Sequence, residues 1–261
     1  MSIIGKVDSV WRYPVKSMRG EEMEEIFAGY AGVYGDRLFA FVSDGSPKGF
    51  PYFTGRNQRR MIRYRPRFRD PVKAAAPSNQ QEAEENGAWP LPASAMQLAI
   101  EVETTDGNFL EIDDPSLIDS LRDGIEDSSS ITLLQADRAM TDCAPLSLFS
   151  LQTISQLERE SEVPIDKRQF RANVYLDLPE IAAFAEDEFV GRRLRLGSKV
   201  VVSITKRDGR CMMITLNPET AEKSPAVLKT VAQKHEGKAG LYAAVLTEGT
   251  IRKGDPIDLL D

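Results

Sequence analysis

The segment GRRLRLGSKVVVSITK, residues 191–206, places apolar residues at alternate positions in two runs, 191–196 and 199–206, with Gly197-Ser198 between them. A period of two sets one side of each run against a core and the other toward solvent, which predicts strands. The same reading carried outward along the chain predicts strands at 6–13, 37–43, 61–69, 97–104 and 131–135. Helical patterns are few. Asp114-Pro115 starts a helix over 116–122, Ser150 caps 151–160 with Leu151, Ile154 and Leu157 on one face, and Ser224-Pro225 opens 226–235, which Gly237 closes. Short strands along the whole chain, without strict alternation of strand and helix, predict a β-rich α+β architecture built on barrels. Residues 73–93, rich in Ala, Pro, Gln and Glu, are expected to be a mobile surface loop, and the polar stretch 122–130 splits the chain into two β-rich parts.

The composition removes most catalytic toolkits. The 261 residues are 41% hydrophobic, enough for a sizeable core, and carry 33 Lys and Arg against 40 Asp and Glu, a formal charge of -7. That balance argues against a general nucleic-acid or anionic-membrane surface, so any basic site must be local. There is one histidine, His235, and two cysteines, Cys143 and Cys211. A four-cysteine zinc site, a self-contained iron-sulfur cluster and any site needing two histidines are excluded within one chain. His235 sits in the charged helix end AQKHEG (232–237) and lacks a G-x-S-x-G partner for a serine triad. No stretch is apolar over a length that would export or anchor the chain, so a cytoplasmic protein with free thiols is expected. Gly29, Gly32 and Gly35 are spaced by threes and fit no nucleotide-binding motif.

Cationic groups recur at the ends of apolar strands. In YPVKS (13–17) a strand runs into Pro14 and presents Lys16 and Ser17, a pair able to bind an anion or simply to line a solvated loop. In GDRLFAFV (35–42) Arg37 opens a buried strand, so it meets either a carboxylate such as Asp36 or a bound anion. TGRNQRRMIRYRPRFR (54–69) holds seven arginines, with Arg63, Arg65, Arg67 and Arg69 on one strand face, open to an anionic ligand, an acidic protein or nearby carboxylates. DKRQFRAN (166–173) sets Arg168, Arg171 and Asn173 before an apolar strand. In TKRDGRCMMITLNPET (205–220) a polar turn at 206–209 precedes Cys211, whose neighbours Arg207 and Arg210 would favour a thiolate if the thiol is not inert and buried.

Seven segments in order, YPVKS, GDR, TGRNQ, FRAN, FAEDEFVGRRLRLG, RCMMITLNPET and GTIRKGDPIDLL, make the chain resemble a MOSC-domain protein preceded by the family's N-terminal β-barrel domain. Its closest functional likeness is to the mitochondrial amidoxime-reducing components and their bacterial relatives. The resemblance implies two β-barrel-like parts, 1–124 and 125–261, and a pterin-based molybdenum cofactor (Mo-molybdopterin) held between them. By the same resemblance Cys211 is the metal ligand and the catalytic residue, while Lys16 and Ser17 hold the cofactor's phosphate. Arg37, Arg56, Asp142, Arg171 and Asn173 are the other cofactor-binding positions. Ala172 stands where the family's R-P-N box has proline, and Ala144 where it often has serine. The implied activity is reduction of N-hydroxylated compounds with electrons from a separate redox protein such as a ferredoxin or flavodoxin. Two rivals are a cofactor or sulfur carrier using a Cys211 persulfide, and an interaction module whose arginine-rich strand docks an acidic partner.

Overall fold

In a computed structural model, which describes residues 2–126 and 129–260, the chain runs β1 (Ser2–Arg12), β2 (Glu21–Met23), β3 (Glu25–Gly29), β4 (Gly32–Val33), β5 (Phe39–Ser43), β6 (Tyr52–Phe53) and β7 (Arg65–Phe68). It continues through α1 (Gln80–Asn86), β8 (Ile100–Glu103), β9 (Phe109–Glu111), α2 (Pro115–Arg122), β10 (Ile131–Gln135), β11 (Leu146–Ser150), α3 (Leu151–Ser161) and β12 (Val174–Asp177). It ends with β13 (Arg193–Leu196), β14 (Val200–Gly209), α4 (Ala226–Lys234), β15 (Lys238–Thr247), β16 (Gly249–Arg252) and β17 (Pro256–Leu260). The fold is α+β and β-rich, as the alternation in 191–206 predicts.

Seven strands close a barrel in the order β1, β12, β11, β15, β14, β13, β17 and back to β1. The 191–206 segment supplies β13 and β14, paired antiparallel from Leu194↔Val202 to Leu196↔Val200, with Leu194, Leu196, Val200, Val202 and Ile204 buried in the barrel core. In the barrel β11 and β12 run parallel, and α3 makes the connection that parallel strands require. The Oγ of Ser150 accepts from the Thr153 amide at the start of α3, and Asp114 does the same for Ser116 at α2, so both caps read from sequence are made.

Three further three-stranded sheets, β10-β5-β6, β16-β3-β4 and β7-β8-β9, complete the fold. A second apolar core, including Val15, Leu38, Phe41, Met61 and Leu117, lies in the first half of the chain. The pairing interleaves the two halves. β1 is a barrel stave, contacting β17 through Ser2 to Lys6 and β12 through Lys6 to Val10, while β10 joins β5 and β16 joins β3. Part of the expected boundary stretch 122–130, Asp127 and Ser128, lies outside the described residues.

Three local expectations are corrected. The strand expected over 61–69 is confined to β7, because Arg59–Arg63 forms a 3-10 turn capped by the Gln58 side chain, and its consecutive buried residues Met61 and Ile62 cannot alternate across a sheet. Residues 73–93 are not a plain loop. They contain α1, where Gln80 and Gln81 donate to Glu84 and Glu85 one turn on, pairs that favour a helix among good helix formers. The turn expected at 206–209 is the end of β14, which stays paired with β15 through Lys206↔Tyr242, Arg207↔Leu241 and Gly209↔Lys238.

Candidate functional site

Three motif residues share an uncommon backbone. Ser17 (φ 66°), Arg37 (φ 47°) and Arg171 (φ 55°) are left-handed without being glycine, a conformation that costs about 1 kcal/mol or more and concentrates at functional sites. Each turns the chain sharply beside a regular element: Ser17 after Val15, which bridges Phe39, Arg37 ahead of β5, and Arg171 at the end of the 3-10 turn Lys167–Phe170. The turns deliver Lys16, Arg37 and Arg171 to one cleft between the halves of the chain.

Five cations line this cleft, Lys16, Arg37, Arg56, Arg171 and Arg210, against two carboxylates, Asp142 and Asp208. Cys211, Asn173 and Tyr242 line it as well, so seven of the eight residues implied by the resemblance converge there. Ser17 lies buried in the turn beside Lys16 and is not part of the lining. The Tyr13 ring holds the two central arginines, with the Arg171 guanidinium 4.4 Å and that of Arg37 4.8 Å from its centroid. Burial pushes the Tyr13 phenol up to about 12, and its hydroxyl donates to the Ala172 carbonyl.

The arginines differ in how they are satisfied. Arg37 is ion-paired with fully buried Asp36, which also accepts from the Tyr13 amide at 2.7 Å. Burial alone would lower the Arg37 pKa, but Asp36 raises it overall. Arg171 makes no ion pair with a carboxylate among the described residues. Its Nη1 donates to the Met18 carbonyl at 2.7 Å, and burial, with the like charge of Arg37, brings its pKa down to about 10. Arg210 is packed against Phe149 and Phe170, paired with Asp208 at 2.9 Å, and donates to the Ala239 and Phe170 carbonyls. Gly240 makes room for it: at φ +80°, an added Cβ would lie 2.4 Å from the Phe149 ring and 2.8 Å from Arg210 Nη2.

One nitrogen on each of two lining arginines, Arg171 Nη2 and Arg210 Nη2, is buried without a hydrogen-bond partner among the described residues. Unmade bonds on buried guanidinium groups are costly, and both belong to arginines that line the cleft. Lys16 is also buried. Its Nζ contacts the Asp142 carboxylate, donates to the Met140 carbonyl at 2.9 Å and lies 4.5 Å from the Tyr52 ring centroid. Burial lowers the Lys16 pKa, while Lys16, Arg37 and Arg56 together outweigh burial at Asp142 and hold that carboxyl below its usual range.

Cys211 is half-buried at the start of the 3-10 turn Met212–Thr215, with its side chain on the cleft, whereas Cys143 is exposed and outside the lining. A thiolate among arginines offers a soft metal ligand beside an anion site. Asn173 is committed to the frame: its Oδ1 accepts from Ser147 and its Nδ2 donates to the Trp11 carbonyl. Ala172 donates its amide N–H to the Tyr175 hydroxyl at 3.3 Å, a bond that a proline at this position could not make.

Outside the cleft, His235 stacks on Phe184 at 3.6 Å and bonds Glu160 at 2.6 Å, which places it in the α3–α4 packing. Of the four arginines expected on one strand face, Arg65 and Arg67 lie on the exposed face of β7 and both meet Glu103 of β8, whereas Arg63 belongs to the Arg59–Arg63 turn and Arg69 follows the strand and meets Glu111 of β9. Sequence reasoning missed Asp208, Arg210 and Tyr242 as cleft residues. Arg210 stood out only as a neighbour of Cys211, and Tyr242 lies on β15, whose run KAGLYAAVLT lacks clean alternation.

Residues 4–111 match the MOSC N-terminal beta barrel domain and residues 135–258 match the MOSC domain. Among curated proteins the chain is similar to the molybdenum cofactor sulfurase of Drosophila grimshawi, 32% identical over 138 residues, covering 47% of this chain and 17% of that protein. The molybdenum cofactor sulfurase of Drosophila mojavensis is 27% identical over 118 residues, covering 44% and 14%. The chain thus spans about a sixth of the length of these relatives. Among solved structures, the YuaD protein of Bacillus subtilis aligns over 97% of this chain and 93% of its own with 13% identity and a TM-score of 0.47. YiiM of Geobacillus stearothermophilus aligns over 50% and 67% with 20% identity and a TM-score of 0.36.

Proposed function

The chain belongs to the MOSC family, with its N-terminal beta barrel domain and its MOSC domain in one polypeptide, and from that premise we propose that the cationic cleft holds a molybdenum cofactor used to reduce N-hydroxylated compounds. The observation that carries this reading is the convergence of five cations, two of them with unpartnered buried nitrogens, on a cleft that also presents the Cys211 thiol. Lys16, Arg37, Arg56, Arg171 and Arg210 supply charge-assisted donors to the phosphate and polar pterin, and Cys211 Sγ supplies the thiolate to the metal. When bound, the group supplies a two-electron couple and an acceptor for one oxygen atom, so that R–NHOH with two protons and two electrons yields R–NH2 and water.

This chain's own residues set the conditions for that exchange. Asp36 pairs with Arg37, and the Tyr13 ring lies against both the Arg37 and the Arg171 guanidinium groups, so both are held before any ligand arrives and little reorganisation is needed on binding. Asp208, whose carboxyl burial pushes up, and Tyr242 are titratable groups on the lining that can hold protons near Cys211. In this reading a redox partner such as a ferredoxin or flavodoxin supplies the electrons. The test is turnover of an amidoxime or hydroxylamine with an artificial electron donor, using protein from a host that makes the cofactor. Amine formation in proportion to bound molybdenum supports the reductase. Bound molybdenum without turnover would favour the carrier role of the Cys211 thiol.

A further inference from the structure

Resting on the reading of the cleft as an anion site, we propose that Asp142 is an internal occupant of that site, its carboxylate held on Lys16 in the free protein and displaced by the incoming anionic ligand. The two partners are built unequally. The Lys16 side chain is 8% exposed and that of Asp142 51% exposed. Lys16 keeps two other partners, the Met140 carbonyl and the Tyr52 ring, that fix its ammonium in the wall. Asp142 belongs to residues 141–145, which lie between β10 and β11 and form neither helix nor strand.

These differences give direction to the exchange. A buried ammonium needs an anion at all times, because an unpaired charge away from water is costly. Asp142 satisfies that need while the cleft is empty of ligand, and, being half in water already, it can return to solvent at little cost. A phosphate-bearing ligand brings more negative oxygens to Lys16, Arg37 and Arg56 than one carboxylate does, and the negative charge that competes for them leaves as it enters. The resemblance counted Asp142 with the residues that hold the cofactor; the geometry assigns it the opposite sign. The apparent affinity for an anion is then the intrinsic affinity reduced by the fraction of molecules in which Lys16 is free.

Calorimetric titration of inorganic pyrophosphate into the cofactor-free full-length chain tests this, with wild type, Asp142→Asn, Lys16→Gln and the double variant at one low ionic strength. Asp142→Asn should bind about tenfold tighter than wild type, as expected if roughly one molecule in ten is open at rest. Lys16→Gln should bind more weakly, and adding Asp142→Asn to it should recover only a small part of the tenfold gain, since Asp142 contacts Lys16 directly while Arg37 and Arg56 act on it at longer range. Tightening that persists undiminished in the Lys16→Gln background is a general charge effect and overturns the proposal, as does an Asp142→Asn variant no tighter than wild type; in both cases a weakened Lys16→Gln leaves the anion site standing. Pyrophosphate binding that is undetectable throughout, or indifferent to Lys16, would overturn the anion-site reading itself.

Discussion

At the scale of single residues, the site depends on charges that are neutralised to different depths. Arg37 is 12% exposed at its side chain and Asp36 is fully buried, so each is the other's main counter-charge. Removing Arg37 leaves a buried carboxylate held only by the Tyr13 amide, and breaking one partner from a buried pair costs about 3 kcal/mol. Arg37→Ala should therefore lower the unfolding free energy of cofactor-free protein by that order, read as a lower urea midpoint, and Asp36→Asn in the same chain should recover part of the loss. An unchanged midpoint would mean that Asp36 is satisfied without Arg37. The sequence offered a carboxylate or an anion as alternatives for Arg37, and the structure pairs it with the carboxylate of Asp36 on the lining of the cleft. What no pattern revealed is the left-handed backbone at Ser17, Arg37 and Arg171, because positive φ is read from glycine and these are not glycines.

At the scale of elements, legibility followed periodicity. β13, β14, α2 and α3 were readable because alternation or a cap marks them locally. The Arg59–Arg63 turn, α1 and β15 were not, since the first is set by the Gln58 cap, the second buries no residue, and the third is a Gly- and Ala-rich run whose strand form comes from pairing with β14 and β11. The short turn Ala185–Phe189 carries a consequence for stability. Glu186 is buried there, accepts from the Ser150 and Thr153 hydroxyls through Oε1, and leaves Oε2 without a partner among the described residues. Burial, against those hydroxyls, raises its carboxyl above the usual 4.5. The folded state then holds this proton more tightly than the unfolded chain, so its contribution is fully present below about pH 4.5 and is lost as pH rises to the elevated value. Glu186→Gln should remove that component, giving a shallower fall in melting temperature between pH 4 and pH 7 than in wild type. Identical pH profiles would show that Glu186 titrates normally.

At the scale of the molecule, the order of motifs along the chain disclosed the family, but the arrangement of the halves could not be read, because strand pairing is a long-range choice. β1 sits in a barrel otherwise built from strands beyond residue 146, and β10 and β16 complete sheets of the first half. That exchange ties the halves together along the cleft, where Met212 and Met213 from the Cys211 turn also pack near Ile62 of the first half. The cleft is thus assembled from Lys16, Arg37 and Arg56 on one side and Arg171, Arg210 and Cys211 on the other. The most direct measurement is molybdenum content per chain, by metal analysis of wild type, Cys211→Ser and Cys143→Ser purified from a cofactor-competent host. Wild type and Cys143→Ser should carry molybdenum at comparable stoichiometry, and Cys211→Ser should lose it while keeping its circular dichroism spectrum, because a serine hydroxyl is a harder and far less acidic ligand than a thiol. Equal molybdenum in both cysteine variants, or none in wild type, would contradict a molybdenum site at Cys211.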